Sequence, residues 1–294
     1  MSNEQRLDVS RRKQERLVLW ARGAVILVAL AFALFPVIWI ISAALNPAGT
    51  LAGQRLLPTN ASLVNFTTLL NDPLHPFLRW TWNSVKVSAI TAVLAVFITA
   101  LSAYAFSRFR FRFRRSLLMS ILLVQVFPPL LTMVALFLLF QQLGTYVPWL
   151  GLNTHGGLIL AYLGGQMGIN VWLTKGFFDA IPRDIDESAL VDGASSWQAF
   201  WYLILPLVRP ILAVVAILVF VGTFGDFALA RILLQSTEEF TLMVGLYLFV
   251  SDRFAQNWGI FAAGALMGAA PIVTLYLLLQ GQIVDGLTQG AVKG

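Results

Sequence analysis

Residues 85–107 read Val85-Lys-Val-Ser-Ala-Ile-Thr-Ala-Val-Leu-Ala-Val-Phe-Ile-Thr-Ala-Leu-Ser-Ala-Tyr-Ala-Phe-Ser107, with a single charge, Lys86, at the mouth. Crossing a bilayer core as a helix takes roughly 20 apolar residues. β-Branched and small residues are mixed through the run without the strict alternation of a barrel strand, so it reads as a membrane helix. Five more stretches have the same character: about Gly23–Leu45, Leu117–Phe140, Thr154–Thr174, Leu207–Gly225 and Gly259–Val284. Glycines and polar residues interrupt the fourth and fifth spans in chain order. The first has a basic flank like that of a secretory signal. Its apolar run exceeds the 7–15 residues of a signal core, and no small-residue cleavage site follows, so it reads as a retained anchor. The expected fold class is therefore all-α integral membrane, with six transmembrane helices.

Composition agrees. Apolar residues make up 58% of the 294 positions and charged residues 12%, and mean hydropathy is +0.78. A soluble domain carries about 25% charge, so this chain lacks the polar surface a water-soluble globule needs. Disorder would need low hydrophobicity and high charge. There is no cysteine, and His75 and His155 are the two histidines, so thiolate chemistry is excluded and a histidine metal centre is disfavoured.

Orientation follows from lysine and arginine placement. Arg6, Arg11, Arg12, Lys13, Arg16 and Arg22 lie in the arm 1–22, and Arg108, Arg110, Arg112, Arg114 and Arg115 between spans two and three. Lys175, Arg183 and Arg209 flank the next connection on that side, and Lys293 lies in the tail 285–294. The other side holds Arg55, Arg79, Arg231 and Arg253. The positive-inside rule then predicts both termini in the cytoplasm. The basic-aromatic run 108–115 resembles a nucleic-acid stretch, but a short hairpin between two spans fits membrane lipid headgroups instead, and no nucleic-acid partner is expected.

The span centres contain no Asp, Glu, Lys, Arg or His. Proton- and ion-coupled carriers place such groups there. Walker, nucleophile-elbow and zinc spacings are missing as well. No catalytic chemistry is expected of the chain itself. Pro36, Pro128-Pro129 and Pro271 can kink helices, and Gly164/Gly168 and Gly264/Gly268 have close-packing spacing.

The most informative connection lies at 181–206: Ile181-Pro-Arg-Asp-Ile-Asp-Glu187-Ser-Ala189-Leu-Val-Asp192-Gly193-Ala194-Ser-Ser-Trp-Gln-Ala-Phe200-Trp-Tyr-Leu-Ile204-Leu-Pro206. Asp184 with Glu187, and Ser195 with Gln198, have capping-box spacing. Gly193 falls where a C-cap glycine ends a helix. The pattern predicts a short helix, a sharp turn, and a second short helix running into span five. Ala189 and Gly193, four apart, predict a shallow face on which another protein could press.

Glu187-Ser-Ala189, Gly193 four residues later and Ile204-x-Pro206 resemble the EAA loop of ABC importer permeases. That family writes it Glu-Ala-Ala, three residues, Gly, nine residues, Ile-x-Leu-Pro. Ser188 replaces the first alanine here, and the isoleucine stands one place closer to the proline. Trp82-Asn-Ser-Val-Lys-Val87, Ala103-Tyr-Ala-Phe106, Gly151-Leu-Asn-Thr-His-Gly-Gly157, Ala161-Tyr-Leu-Gly-Gly165 and Gly286–Gly294 resemble the MalG-type subunits of maltose/maltodextrin importers.

The resemblance implies an ABC type I importer permease fold in a bacterial inner membrane. It implies that Glu187, Ser188, Ala189, Asp192, Gly193 and Ala194 couple to an ATPase. Gln289, Gly290 and Lys293 of the tail would also touch that ATPase, and Gln235, Ser236, Thr237, Glu238 and Glu239 would face a sugar-binding protein. Partners would be a second, MalF-type permease, two MalK-type ATP-binding subunits and an extracytoplasmic sugar-binding protein. No cofactor is expected on this chain, ATP and Mg being held by the ATPases, and no sugar-contacting residue is assigned. Permeases for trehalose or other sugars share the loop. An ion-coupled carrier or a non-transporting scaffold is the reading from another class.

Overall fold

The computed structural model describes residues 3–50, 54–56, 58–251 and 256–291; for 3–17, 129–130 and 283–291 it describes the backbone path. Among these residues the chain is helical, with no strand. Helix α1 spans Asn3–Leu45, α2 Val64–Asn71, α3 Phe77–Arg108, α4 Arg114–Val124, α5 Pro129–Tyr146 and α6 His155–Ala180. Short helices α7 (Asp184–Val191), α8 (Ser196–Ala199) and α9 (Leu205–Leu207) follow, with a π turn at Phe200–Ile204. Then come α10 (Arg209–Phe224), α11 (Ala228–Leu233), α12 (Leu242–Ser251) and α13 (Trp258–Ala291).

Three helical stretches are long and apolar enough to cross a bilayer unaided: Val18–Leu45 of α1, all of α3, and Trp258–Gln282 of α13. Pro36 and Pro271 lie within α1 and α13 without ending them. The expected third span, 117–140, is not one helix. It breaks between Val124 and Pro129, because Pro128 and Pro129 lack the N–H groups an unbroken ladder needs there. The fifth also departs from expectation. α10 has 16 residues, about 24 Å at 1.5 Å per residue, and meets the preceding short helices at a 76° bend. Helix α12, between the fifth and sixth expected spans, has ten residues, too few to cross a bilayer.

Helix α3 is the axis of the bundle and packs against α6 and α10. Toward one end, its Trp80 is fully buried beside Leu69, Phe224, Leu242 and Leu246. Toward the other, its Tyr104 joins Phe178, Phe200 and Ile204. The glycine pair of α13 works as its spacing predicts: a Cβ on Gly264 or Gly268 would come within 2.3 Å of Leu246 or Leu242 of α12. The pair in α6 does so only at Gly168, since Gly164 faces open space. By contrast, no residue of α1 from Val18 to Ile41 is buried within this chain.

Gly245 of α12 lies flat against the Trp80 indole, and a Cβ there would fall 2.1 Å from a ring carbon. Gly245→Ala is expected to cost about 1–3 kcal/mol by overpacking, read as a lower thermal midpoint in detergent. Adding Trp80→Phe should recover part of that loss.

Candidate functional site: the elbow and the loop at 235–240

The segment 181–208 forms an elbow, and its first half is set by local chemistry. Helix α7 ends in a Schellman turn: Gly193 N–H donates to Leu190 O at 3.1 Å and Ala194 N–H to Ala189 O at 2.9 Å. That turn requires the φ of +87° seen at Gly193, a left-handed conformation in which only glycine avoids a Cβ penalty. The next cap follows its sequence signature. Gln198 N–H donates to Ser195 Oγ at 3.3 Å, and Ser195 N–H donates to Gln198 Oε1 at 2.8 Å. The other expected box does not form. Arg183 is the N-cap of α7 without a side-chain cap, and Asp184 is already inside the helix.

The second half bends where the prolines lie. The π turn of Phe200–Ile204 closes just before Pro206, which has no N–H to continue the ladder. Pro210 then crowds the carbonyl four residues back, so the chain turns through 76° at Val208 instead of running straight into α10.

Charges lock the elbow onto the bundle, a feature not read from the sequence. Arg108, expected to face lipid headgroups, turns inward. Its Nε lies 2.8 Å from Asp186 Oδ2, with the two side chains only 7% and 13% exposed, and its Nη2 donates to Ile181 O at 3.1 Å. Arg183 Nη2 returns the contact to Ser107 O at 3.0 Å. Ser107 Oγ donates to Asp179 Oδ1 at 2.7 Å, and Lys175 pairs with the other oxygen of Asp179. Tyr104 OH donates to Ser196 O at 3.2 Å. Partial burial of Asp179 opposes its charge, but the hydrogen bonds from Lys175 and Ser107 outweigh it and hold the carboxyl below its usual range. A depressed pKa adds stability above the ordinary carboxylate value, lost only as pH falls through the folded one.

Of the predicted coupling residues, Glu187, Ser188, Asp192 and Gly193 are exposed and Ala194 half-exposed. Ala189 is not presented on an outer face as expected. It is 6% exposed and sits at the floor of a hollow of about 430 Å³ lined by Asp192, Gly193, Ala194, Gln198 and Tyr202. Tyr202 on that lining is 77% exposed, and Val191, next to Asp192 in the chain, is 88% exposed. A Cβ on Gly193 would meet nothing within 4 Å, so the glycine answers to backbone conformation and not to crowding from this chain.

At the opposite end of α3, residues 235–240 are held down through their backbone. Trp80 Nε1 donates to Thr237 O at 2.8 Å. Asn83 Nδ2 donates to Glu238 O at 2.9 Å and Phe240 O at 3.0 Å. Asn153 Oδ1 accepts from the N–H groups of Gln235 and Ser236, both at 2.9 Å. His155 reaches Glu239 O at 2.9 Å and the Glu239 carboxylate at 3.3 Å. Gln235 and Glu238 remain exposed, while Ser236, Thr237 and Glu239 are partly covered. Asn83, Asn153 and His155 belong to the stretches quoted above as resembling importers, and the structure gives them a common task as clamps of this loop. In the tail, Gln289 and Gly290 lie on the α13 backbone, and Lys293 lies outside the described residues.

Removing the arginine of a buried ion pair leaves its partner uncompensated, which costs about 3–5 kcal/mol. Arg108→Met is therefore expected to speed amide hydrogen exchange over 181–196 while residues 77–90 keep their protection. Arg108→Met with Asp186→Leu should restore most of it.

Comparison with known proteins places this architecture. Residues 95–287 match the family described as binding-protein-dependent transport system inner membrane component. A maltose/maltodextrin transport system permease protein MalG from Vibrio vulnificus is 42% identical over 289 residues, covering 94% of this chain and 96% of that protein. Its Escherichia coli K12 counterpart is 40% identical over 295 residues, covering 96% and 98%. The solved structure of a bacterial ABC transporter involved in the import of the acidic polysaccharide alginate has a chain that superposes with a TM-score of 0.75 at 23% identity, covering 91% of this chain and 97% of that one. That likeness is one of fold, and it makes the helical arrangement described above an ABC importer permease fold. With well over half its length matched, the chain belongs to the family of binding-protein-dependent transport system inner membrane components.

Proposed function

We propose that the chain is one of two unlike permease subunits of an ATP-driven importer for maltose or maltodextrin, in a bacterial inner membrane. The observation that carries the reading is 40–42% identity, over nearly the whole length, to permeases of maltose/maltodextrin systems. As a permease subunit it has no catalytic site of its own, and hydrolysis belongs to separate ATPase subunits holding ATP and Mg. A binding protein delivers sugar outside, and a MalF-type permease and two MalK-type ATPases complete the complex.

The topology proposed is six crossings with both termini inside. The broken helices α4–α5 and α6 with α10 supply the crossings that α1, α3 and α13 do not. This orientation is supported by the lysine and arginine bias and puts the elbow in the cytoplasm.

The elbow is then the coupling element. Ala189, Asp192, Gly193 and Ala194 line its hollow together with exposed Tyr202, and Glu187, Ser188 and Val191 are exposed on the same short helix α7. Apolar side chains exposed to cytoplasm favour a covering protein. When two ATPases close on ATP, a rigid elbow pressed into each carries that closure into the spans. The Arg108–Asp186 pair and the bonds around Ser107 supply the rigidity. Differential binding of ATP to the two states drives the shift from inward- to outward-facing access. At the other face, the clamped loop 235–239 holds its exposed Gln235 and Glu238 toward the binding protein. By the same reading, Gln289, Gly290 and Lys293 of the tail contact the ATPase pair.

Two experiments test this. In vesicles holding the complete complex, Gly193→Trp is expected to leave membrane insertion intact yet abolish ATP-driven maltose uptake; normal uptake would overturn coupling through the elbow. Deleting 286–294 is expected to weaken co-purification with the ATPase subunit, and unchanged recovery together with an unchanged ATPase rate would remove the tail from the interface.

A further inference from the structure

Midway along α6 the sequence changes character, to Gly164-Gly-Gln-Met-Gly-Ile-Asn170. Gln166 is eleven residues from His155 and thirteen from Asp179, which places it about 16 Å and about 20 Å from the two ends. The break between α4 and α5 packs at the same level. Gln125 Nε2 donates to Gly165 O at 3.1 Å, and a Cβ on Gly168 would lie 2.5 Å from that nitrogen. Residues Gln125, Val126, Phe127 and Pro128 of the break are all exposed. Non-helical backbone at membrane depth is tolerated where protein or water covers it, not against lipid.

At 100° per residue, Gly165, Ile169 and Trp172 form one strip of α6, and all three are exposed. Gln125 flanks it on one side. Gln166 flanks it on the other, with its Nε2 3.8 Å from where a Cβ on Gly222 of α10 would stand. Nothing lies within 4 Å in front of Gly164 or Gly165. Among the described residues, neither the Gln166 amide nor Gln125 Oε1 has a hydrogen-bond partner. The strip carries no ionisable side chain. Two amides offer both donors and acceptors, which suits a neutral molecule rich in hydroxyls and gives an ion no counter-charge.

We propose that Gln166 and Gln125 form a saccharide-contacting site on the translocation pathway, this chain's own contribution to sugar recognition. Hydroxyls of the passing sugar exchange water for the two amides across the bare glycine surface. The inference rests on the importer reading above.

The test uses the complete complex in proteoliposomes, with maltose and with maltose analogues each lacking one hydroxyl. Gln166→Met keeps the side chain's length and removes its hydrogen bonding. Uptake of maltose is expected to fall about tenfold, as one uncharged hydrogen bond commands, with Gln166→Asn recovering part of it. For the analogue lacking the contacted hydroxyl, variant and wild type should transport equally, an outcome that a purely structural role would not produce. Gln125→Met should behave alike toward a different hydroxyl. If Gln166→Met fails to assemble, Gln166→Leu is read in the same way. Wild-type rates for every sugar in both glutamine variants would overturn the site while leaving the importer reading standing. ATP hydrolysis by the wild-type complex with no maltose or maltodextrin imported would overturn both.

Discussion

The buried pairing of Arg108 with Asp186 is the constraint on which the rest depends. A charge taken out of water needs a partner, and here the partner lies on the elbow while the arginine ends the central helix. Asp186 lies 78 residues beyond Arg108, so the contact fixes the elbow relative to the bundle more firmly than chain connectivity could. Ser107, Asp179, Lys175 and Arg183 surround the pair and leave little play. A force applied to the elbow therefore reaches α3 directly, and α3 carries it along the molecule to Trp80 and Asn83 at the other end.

That other end is built on neutral hydrogen bonds. Thr237, Glu238, Glu239 and Phe240 each give a carbonyl to a side chain of the Trp80–Asn83 turn or of His155. A loop held by its backbone leaves selected side chains free without letting the chain wander. Both ends thus attach an irregular segment to the same helix, one by charge and one by carbonyl capture. Between them lies an interrupted layer where α4 gives way to α5, α6 turns glycine-rich, and Gln166 lies beside α10.

Much of this was legible beforehand. The apolar runs of α1, α3 and α13 exceed the membrane thickness and need no tertiary context. The glycine at 193 and the Ser195–Gln198 box announced their turns, because caps are closed by residues three or four apart. Other readings failed for the same kind of reason. Asp184 had the right spacing for a cap, but Arg183 occupies the cap position. Arg108 looked like one more basic residue of a lipid-facing run, since nothing within that run reveals an aspartate 78 positions away. Helical spacing alone puts Ala189 on an outer face, and the hollow it shares with Gln198, Ala199, Tyr202 and Leu203 cannot be seen from that spacing. Gln125 and Gln166 drew no notice because uncharged amides do not break a hydropathy profile.

The sequence by itself determined that the chain is a bundle of membrane helices with a punctuated elbow and a strong bias in where its positive charge lies, for these depend on hydropathy, composition and contacts within one or two helical turns. Only the tertiary structure decided which charges turn inward, which loop is clamped to which helix, and where the interrupted helices bring two amides to one level. Those pairings join residues from 40 to more than 150 positions apart, and separation on that scale leaves no periodicity or local motif for a linear reading to detect.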